Sequence, residues 1–179
     1  MRRRILLPAL LVSVAAAALT VPPVGSAAEP ARVPHPVGAV AAAEALAADP
    51  AGGSSGTVTF PAELPAELVA ELGYRPGTRD GHPVNPDGDC SSPVPLPASF
   101  EPACMTHDLG YDLLRVADRT GETIPPRLRR GLDRRMAERM RESCSDDACR
   151  VMARAAHAAV AVNTLRQHDG APVEEWFPW

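Results

Sequence analysis

The sequence predicts an all-α fold, a small helical domain stabilised by disulfides. Three segments have helical spacing of apolar residues: about Pro102 or Ala103 to Val116 or Ala117, about Pro126 to Glu142, and about Ala148 to Leu165. The alternating apolar and polar residues of a strand are almost absent. One globular domain is expected for 179 residues, because a domain takes about 100–200 residues.

The first 28 residues have the pattern of a signal peptide. Arg2, Arg3 and Arg4 precede an apolar run from Ile5 to Leu19, and small residues at 25–28 suit a cleavage site. An uncleaved membrane anchor is the alternative, but the apolar run is shorter than the ~20 residues of a membrane span. We therefore expect a secreted, extracellular protein.

Residues 29–60 are predicted to form a flexible propeptide or linker. Val37–Ala48 could form an Ala-rich helix, but it lacks large apolar side chains, and Ala51–Gly56 is typical of a flexible linker. The helical domain is assigned to 61–168. Its first helix is predicted at Glu63–Leu72 from the spacing of three leucines.

Gly, Pro and Asp residues indicate where the later helices begin and end. Gly121 ends one helical segment, and Pro125–Pro126 supplies a start for the next. Asp146 and Asp147 suit the N-terminus of the last helix, both as caps and opposite the helix dipole.

Four cysteines in an exported chain predict two disulfides. Cys90, Cys104, Cys144 and Cys149 allow three connectivities, and the sequence alone does not choose among them. Sequential pairing is the simplest, and its two loops would contribute about 3 and about 2 kcal/mol. A structural zinc site is the rival interpretation, but no C-x2-C pair is present.

The charge distribution excludes one class of function. The net charge of −4 excludes a nucleic-acid binder that works through bulk positive charge. Without Arg2–Arg4 the chain carries −7, with −9 over residues 29–112 and +5 over residues 113–168.

One face of the first long helix carries reactive residues. Cys104, His107 and Tyr111 stand at i, i+3 and i+7 and share a face. Gly110 costs the helix about 1 kcal/mol relative to Ala, which indicates that another group approaches the backbone there. Asp108 points about 100° away from His107.

A carboxylate interrupts the apolar stripe of the next helix. Asp133 is in line with Met136, Met140 and Cys144. A buried carboxylate is costly unless it is paired, and a His from the facing antiparallel helix is a natural partner. The alternative is a surface ion pair with Arg129.

Acidic residues precede the first cysteine. Asp87 and Asp89, in a loop held by Cys90, could join Asp108 as oxygen ligands of Ca²⁺, with backbone carbonyls and water completing the shell. The alternative is a solvated acidic turn.

The sequence from Cys104 to Tyr111 resembles the C-x2-H-D-x-G-Y active-site helix of secreted phospholipases A2 of the bacterial and fungal branch. That branch places its catalytic Asp in the next helix, eleven residues before a disulfide Cys, and Asp133 precedes Cys144 by eleven. The resemblance covers roughly Asp87 to Gln167.

The resemblance implies calcium-dependent hydrolysis of the sn-2 ester of glycerophospholipids, giving a fatty acid and a lysophospholipid. His107 would be the general base and Asp133 would hold its other nitrogen. Asp108 would bind Ca²⁺, and Tyr111 would support the site by a hydrogen bond or be a plain core tyrosine. One departure is that Gly88 occupies the family's loop carboxylate position, so the loop would bind through Asp87 or Asp89 and the Gly88 carbonyl.

The expected partner is a phospholipid membrane or micelle surface, with no nucleic acid and with the protein a monomer. The aromatic C-terminal tail, 169–179, could insert at a lipid interface or cover the core. Arginines of the second long helix could face anionic head groups or form a solvated face: Arg127, Arg129, Arg130, Arg134, Arg135, Arg139 and Arg141. The alternative function is a non-catalytic secreted module with the same fold and a degenerate calcium loop.

Overall fold

The computed structural model describes residues 38–48 and 59–173, which are mostly helical. The five helices of these residues are α1 (Ala39–Ala47), α2 (Ala66–Leu72), α3 (Glu101–Thr120), α4 (Leu128–Glu142) and α5 (Asp147–Arg166). Two short strands, β1 (Gly77–Arg79) and β2 (His82–Val84), form an antiparallel hairpin. The predicted signal peptide and the end of the aromatic tail, 174–179, lie outside the described residues.

The three long helices agree with the sequence prediction to within a few residues. Helix α3 continues to Thr120 and ends where Gly121 adopts a left-handed conformation, with φ of 76°. Helix α5 begins after Asp146, whose carboxylate accepts a hydrogen bond from the Cys149 amide at 2.8 Å. In the described part of the chain, none of the helices has the length and hydropathy needed to cross a bilayer.

The hairpin was not predicted, because strands of three residues are too short to show an alternating pattern. Its turn is formed by Asp80 and Gly81, which both have positive φ, 49° and 78°. Such a turn matches the twist of paired strands. Asn85, just after β2, donates its backbone N–H to the backbone carbonyl of Met105 in α3 at 3.0 Å. This hydrogen bond fixes the hairpin to the long helix.

Helix α1 lies within the segment predicted as a flexible propeptide or linker, 29–60, and forms where the sequence allowed an Ala-rich helix. The rest of that segment up to residue 58, including the predicted linker Ala51–Gly56, lies outside the described residues. Ala39, Ala42, Ala43 and Leu46 are buried in the same core cluster as residues of α3 and α4. The Glu122 carboxylate accepts the backbone N–H groups of Ala39 and Val40 at 2.9 and 3.1 Å and so caps α1 from another segment. The small side chains that argued against burial permit close helix packing instead.

Helices α3 and α4 run antiparallel, as expected. Gly110 of α3 packs against Leu132 near the start of α4, where a Cβ at residue 110 would lie 2.7 Å from Leu132 Cδ2. Earlier in α3, Cys104 shares a hydrophobic cluster with Met140, near the end of α4. The close approach inferred from Gly110 is thus confirmed.

Both disulfides follow the simplest connectivity. Cys90 pairs with Cys104 and Cys144 pairs with Cys149, at Cα–Cα distances of 5.2 and 5.5 Å. The first ties the acidic loop to α3, and the second closes the turn between α4 and α5. The zinc interpretation of these cysteines is wrong, since all four are oxidised. Two disulfides are compatible with an extracellular protein.

Candidate functional site

The structure brings His107 of α3 and Asp133 of α4 together in the core. His107 Nε2 lies 2.8 Å from Asp133 Oδ1, and both side chains are buried. Asp133 is 1% exposed, so the alternative of a surface pair with Arg129 is wrong. A carboxylate so placed favours the tautomer in which Nε2 carries the proton and Nδ1 carries the lone pair.

The His107 Nδ1 atom faces away from this pair. No hydrogen bond joins it to another of the described residues. An imidazole with one nitrogen held by a carboxylate and the other without a protein donor can accept a proton from water.

Two hydroxyl groups complete the shell around the Asp133 carboxylate. Tyr111 donates its O–H to Oδ1 at 2.7 Å, and Thr164 of α5 donates to Oδ2 at 2.6 Å. Burial raises the pKa of Asp133, but the hydrogen bonds from His107, Thr164 and Tyr111 outweigh it, so the pKa lies below its usual value. Asp133 is therefore ionised, and its carboxylate accepts hydrogen bonds from His107, Tyr111 and Thr164.

Tyr111 is part of this hydrogen-bond network. Of the two roles considered for it, a hydrogen bond that supports the site or a plain core tyrosine, the structure shows the hydrogen bond. Its ring is tilted by 45° against that of His107, with centroids 4.0 Å apart. Burial and the Asp133 charge raise the pKa of Tyr111 to about 12, so the phenol remains a proton donor to the carboxylate.

Arg129 was expected at the surface, but it is a buried cation beside this network. The side chain is 0% exposed, and its guanidinium lies over the Tyr111 ring, 4.8 Å from the centroid. Nε donates to the Tyr111 hydroxyl at 3.3 Å and Nη1 donates to the Gly170 carbonyl at 3.1 Å. Arg129 thus offsets part of the buried Asp133 charge through Tyr111.

Neither Arg129 nor Thr164 carried an obvious signal in the sequence. Arg129 is one of seven arginines in and around α4, and Thr164 is an isolated hydroxyl in an Ala-rich helix. The spacing of Arg129 to Asp133, i to i+4, was the one usable clue. The contact of Thr164 depends on how α5 crosses α4, which local spacing does not define.

The acidic loop lies against Asp108 and contacts it through its backbone. The Asp89 amide donates to Asp108 Oδ2 at 3.0 Å. The Asp89 carboxylate itself accepts from Ser91, at 2.9 Å, and the Asp87 amide donates to the Asn85 side chain at 2.9 Å. Among residues 38–48 and 59–173, no group of three His, Cys, Asp or Glu side chains is placed to hold a metal ion.

Gly88 of the acidic loop also lies close to the Asp108 carboxylate. A Cβ built on Gly88 would lie 2.8 Å from Asp108 Oδ2 and 3.2 Å from the Met105 Cα. The backbone therefore passes so close to Asp108 that a side chain at 88 would fill the space beside its carboxylate.

The charge of the Asp108 carboxylate is only partly compensated. Burial raises its pKa to about 6, the charges of Asp112 and Asp89 add to this effect, and His107 and the Asp89 amide oppose it. A partly buried carboxylate beside other acids is the kind of oxygen ligand that a hard cation such as Ca²⁺ takes. Among the loop contacts that the structure describes, the Asp89 backbone N–H meets this carboxylate, so the fit to a cation rests on Asp108 itself.

Asp112, one turn after Asp108, has its own set of donors. Tyr74 and Asn85 donate to Oδ2 at 2.7 and 2.9 Å, and Arg115 donates to Oδ1 at 2.7 Å. Asp112 therefore anchors the segments on either side of the hairpin to α3 and helps to position the acidic loop.

Comparison with protein-family models, with curated proteins and with solved structures found no match to this chain. A function for the chain is therefore inferred from the site geometry and from the motif spanning Cys104 to Tyr111.

Proposed function

We propose that the protein is a calcium-dependent phospholipase A2-like ester hydrolase, which cleaves the sn-2 ester of glycerophospholipids. The observation that carries the proposal is the buried His107–Asp133 pair, whose Nε2 and Oδ1 atoms are 2.8 Å apart. The all-α fold class, secretion and the phospholipid surface as partner belong to the same proposal, and they are supported by the motif and the two disulfides.

The reaction begins with a water molecule at His107 Nδ1. The imidazole takes a proton from the water as it attacks the ester carbonyl, and Asp133 stabilises the imidazolium that forms. The proton then passes to the leaving lysophospholipid oxygen, which regenerates the neutral imidazole. Tyr111 and Thr164 hold the Asp133 carboxylate, so the imidazole stays oriented throughout.

Asp108 and the backbone of the Asp87–Gly88–Asp89 loop would hold Ca²⁺. When bound, Ca²⁺ would polarise the ester carbonyl and stabilise negative charge on its oxygen. Asp108 is adjacent to His107 on α3, so the same rigid helix would position the base and the metal ligand.

A second function is favoured by the loop itself. Gly88 occupies the position where the family has a carboxylate, and the described residues contain no group of three His, Cys, Asp or Glu side chains placed to hold a metal ion. A secreted phospholipase A2-fold module that binds a partner without catalysis would tolerate this loop. The intact His107–Asp133 pair favours the enzyme, because a binding module has no need of a buried histidine hydrogen-bonded to a carboxylate.

The decisive assay is fatty-acid release from phosphatidylcholine vesicles whose sn-1 and sn-2 chains differ. We expect only the sn-2 fatty acid to be released, in Ca²⁺ and not in excess EGTA. His107→Ala should lower the rate by about 10²–10⁴-fold, with unchanged far-ultraviolet circular dichroism. His157→Ala, a half-buried histidine of α5, is the matched control and should keep full activity. Release that persists in EGTA would exclude the metal role, and release that survives His107→Ala would exclude the general base.

A further inference from the structure

The chain turns back onto its own core directly after α5. His168 and Asp169 both adopt the left-handed conformation, with φ of 56° and 59°. This conformation costs free energy in a residue other than glycine, so two in succession persist only where surrounding contacts hold them. One such contact is the Asp169 backbone N–H, which donates to the Thr164 carbonyl at 3.0 Å. We name residues 168–173 the C-terminal strap.

Two arginines hold the ends of the C-terminal strap. Arg130 of α4 donates two hydrogen bonds to the Asp169 carboxylate, one of them at 2.6 Å. Arg115 of α3 donates from Nε to the Pro172 carbonyl at 3.1 Å, and Pro172 is buried. The strap is therefore fixed near both ends to the two helices that carry the candidate catalytic pair.

The middle of the strap is bonded to the buried guanidinium of Arg129. The Gly170 carbonyl accepts from Nη1 at 3.1 Å, and Nε donates to the Tyr111 hydroxyl at 3.3 Å. The third nitrogen, Nη2, is buried and has no hydrogen-bond partner in the part of the chain that the structure describes. Gly170 thus supplies one of only two hydrogen bonds that the described residues give to a fully buried cation, and a buried cation depends on such bonds.

Arg129 sets the direction of the Tyr111 hydroxyl. Because a guanidinium only donates hydrogen bonds, the Tyr111 oxygen accepts from Nε and its own proton must point elsewhere. That proton is directed to Asp133 Oδ1, 2.7 Å away, which is the same oxygen that lies 2.8 Å from His107 Nε2. A continuous series of hydrogen bonds therefore links the strap, through Arg129 and Tyr111, to the carboxylate that orients His107.

We propose that the C-terminal strap is part of the candidate active site and that Arg129 is a positioning residue for the His107–Asp133 pair. This inference rests on the proposed function and adds a requirement to it. Without the strap, water replaces Gly170 at Nη1, Arg129 loses its fixed place, and the Tyr111 hydroxyl can rotate away from Asp133. The imidazole then loses its fixed orientation. Because the strap acts through His107 and not on the substrate, the loss falls on kcat and not on KM.

The test compares two truncations. A chain that stops after His168 lacks all but the first residue of the strap, whereas a chain that stops after Val173 keeps the strap and lacks only residues 174–179. The substrate is a short-chain phospholipid below its critical micelle concentration, so that binding to a lipid surface does not contribute. We expect the stop after His168 to lower kcat by about tenfold or more with KM unchanged, and the stop after Val173 to keep the kcat of the full chain.

Two point variants separate positioning from stability. Arg129→Met removes both hydrogen bonds of the guanidinium within an otherwise complete chain, so it should lower kcat as the stop after His168 does. Glu122→Gln is the stability control, because Glu122 caps α1 and takes no part in the network. It should lower the urea midpoint and leave kcat unchanged. If the chain that stops after His168 does not fold, Arg129→Met decides by the same criteria.

Long-range ¹H–¹⁵N spectra of the His107 ring give a readout that does not need turnover. In the neutral imidazole we expect the proton on Nε2, beside Asp133, and the spectrum of His107→Ala identifies the signals. The stop after His168 and Arg129→Met should show a mixture of both tautomers. The stop after Val173 and Glu122→Gln should keep the spectrum of the full chain.

The proposal is overturned if Arg129→Met or the stop after His168 folds and keeps both the kcat and the His107 spectrum of the full chain. It is also overturned if the stop after Val173 or Glu122→Gln changes that spectrum as much. If the full chain hydrolyses no phospholipid, the proposed function fails, and the spectra alone decide whether the strap positions His107.

Discussion

Thr164→Val tests whether α5 holds the candidate catalytic carboxylate. The substitution keeps the volume and removes the hydroxyl that donates to Asp133 Oδ2 at 2.6 Å. Thr164 is fully buried, so water does not replace the lost donor. A hydrogen bond to a charged group contributes about 1.5–3 kcal/mol, and we expect the free energy of unfolding to fall by that amount at pH 7.

Urea unfolding followed by circular dichroism measures this difference, and pH identifies its source. Because the pKa of Asp133 is lowered by folding, its contribution is complete above its unfolded pKa and is lost as pH falls through the folded one. The gap between Thr164→Val and the wild type should therefore be widest near neutrality and should narrow in acid. Thr164→Ser keeps the hydroxyl and is the control. Equal midpoints for Thr164→Val and wild type at pH 7, or an equal loss in Thr164→Ser, would refute the reasoning.

Three further predictions concern the packing, the disulfides and the tautomer. Gly110→Ala places a Cβ 2.7 Å from Leu132 Cδ2, so an overpacking cost of about 1–3 kcal/mol should outweigh the ~1 kcal/mol gain in helix propensity. An increase in urea midpoint would contradict this. Cys90→Ser with Cys104→Ser should cost about 3 kcal/mol of unfolding free energy, and thermal melts of the variant that match the wild type would contradict the loop-entropy argument. Asp133→Asn should lower fatty-acid release by about 10²–10⁴-fold, and retained turnover with native circular dichroism would remove Asp133 from the site.

The helices and the central pair were predictable because they depend on local spacing. His107 and Asp133 each lie on a helix face whose other residues are apolar or disulfide-bonded, so packing the two faces brings the pair together. Gly110 also indicates where α4 comes closest to α3, since only a residue without a side chain allows Leu132 so close.

The parts that could not be predicted depend on contacts between distant segments. Thr164 reaches Asp133 only because α5 crosses α4 at a particular level. The burial of α1 depends on Glu122, which caps it from more than eighty residues away. Arg129 is buried although its neighbours Arg130 and Arg134 are exposed, and no property of an arginine-rich helix distinguishes one arginine from the next.

The two carboxylates of the site differ in how completely their charges are balanced. Asp133 accepts hydrogen bonds from three residues, whereas the charge of Asp108 is only partly compensated. This difference makes the proposed role of Asp108 as a metal ligand testable. Burial raises the pKa of Asp108 to about 6, so the folded state holds this proton more tightly than the unfolded chain does. The stabilisation due to the proton is lost as pH rises through about 6. In EGTA above that pH, Asp108→Asn should therefore unfold at a higher urea concentration than the wild type, because its amide carries no charge to bury.

Added Ca²⁺ should reverse that order. A cation that binds the folded state alone stabilises it in proportion to its occupancy, so the urea midpoint of the wild type should rise and that of Asp108→Asn should not. Because Ca²⁺ and the proton compete for one carboxylate, more Ca²⁺ should move the acid limb of fatty-acid release to lower pH. If Ca²⁺ shifts both midpoints equally, Asp108 is not a ligand. The protein would then have the proposed general base, His107, without a calcium site at the loop that contains Gly88.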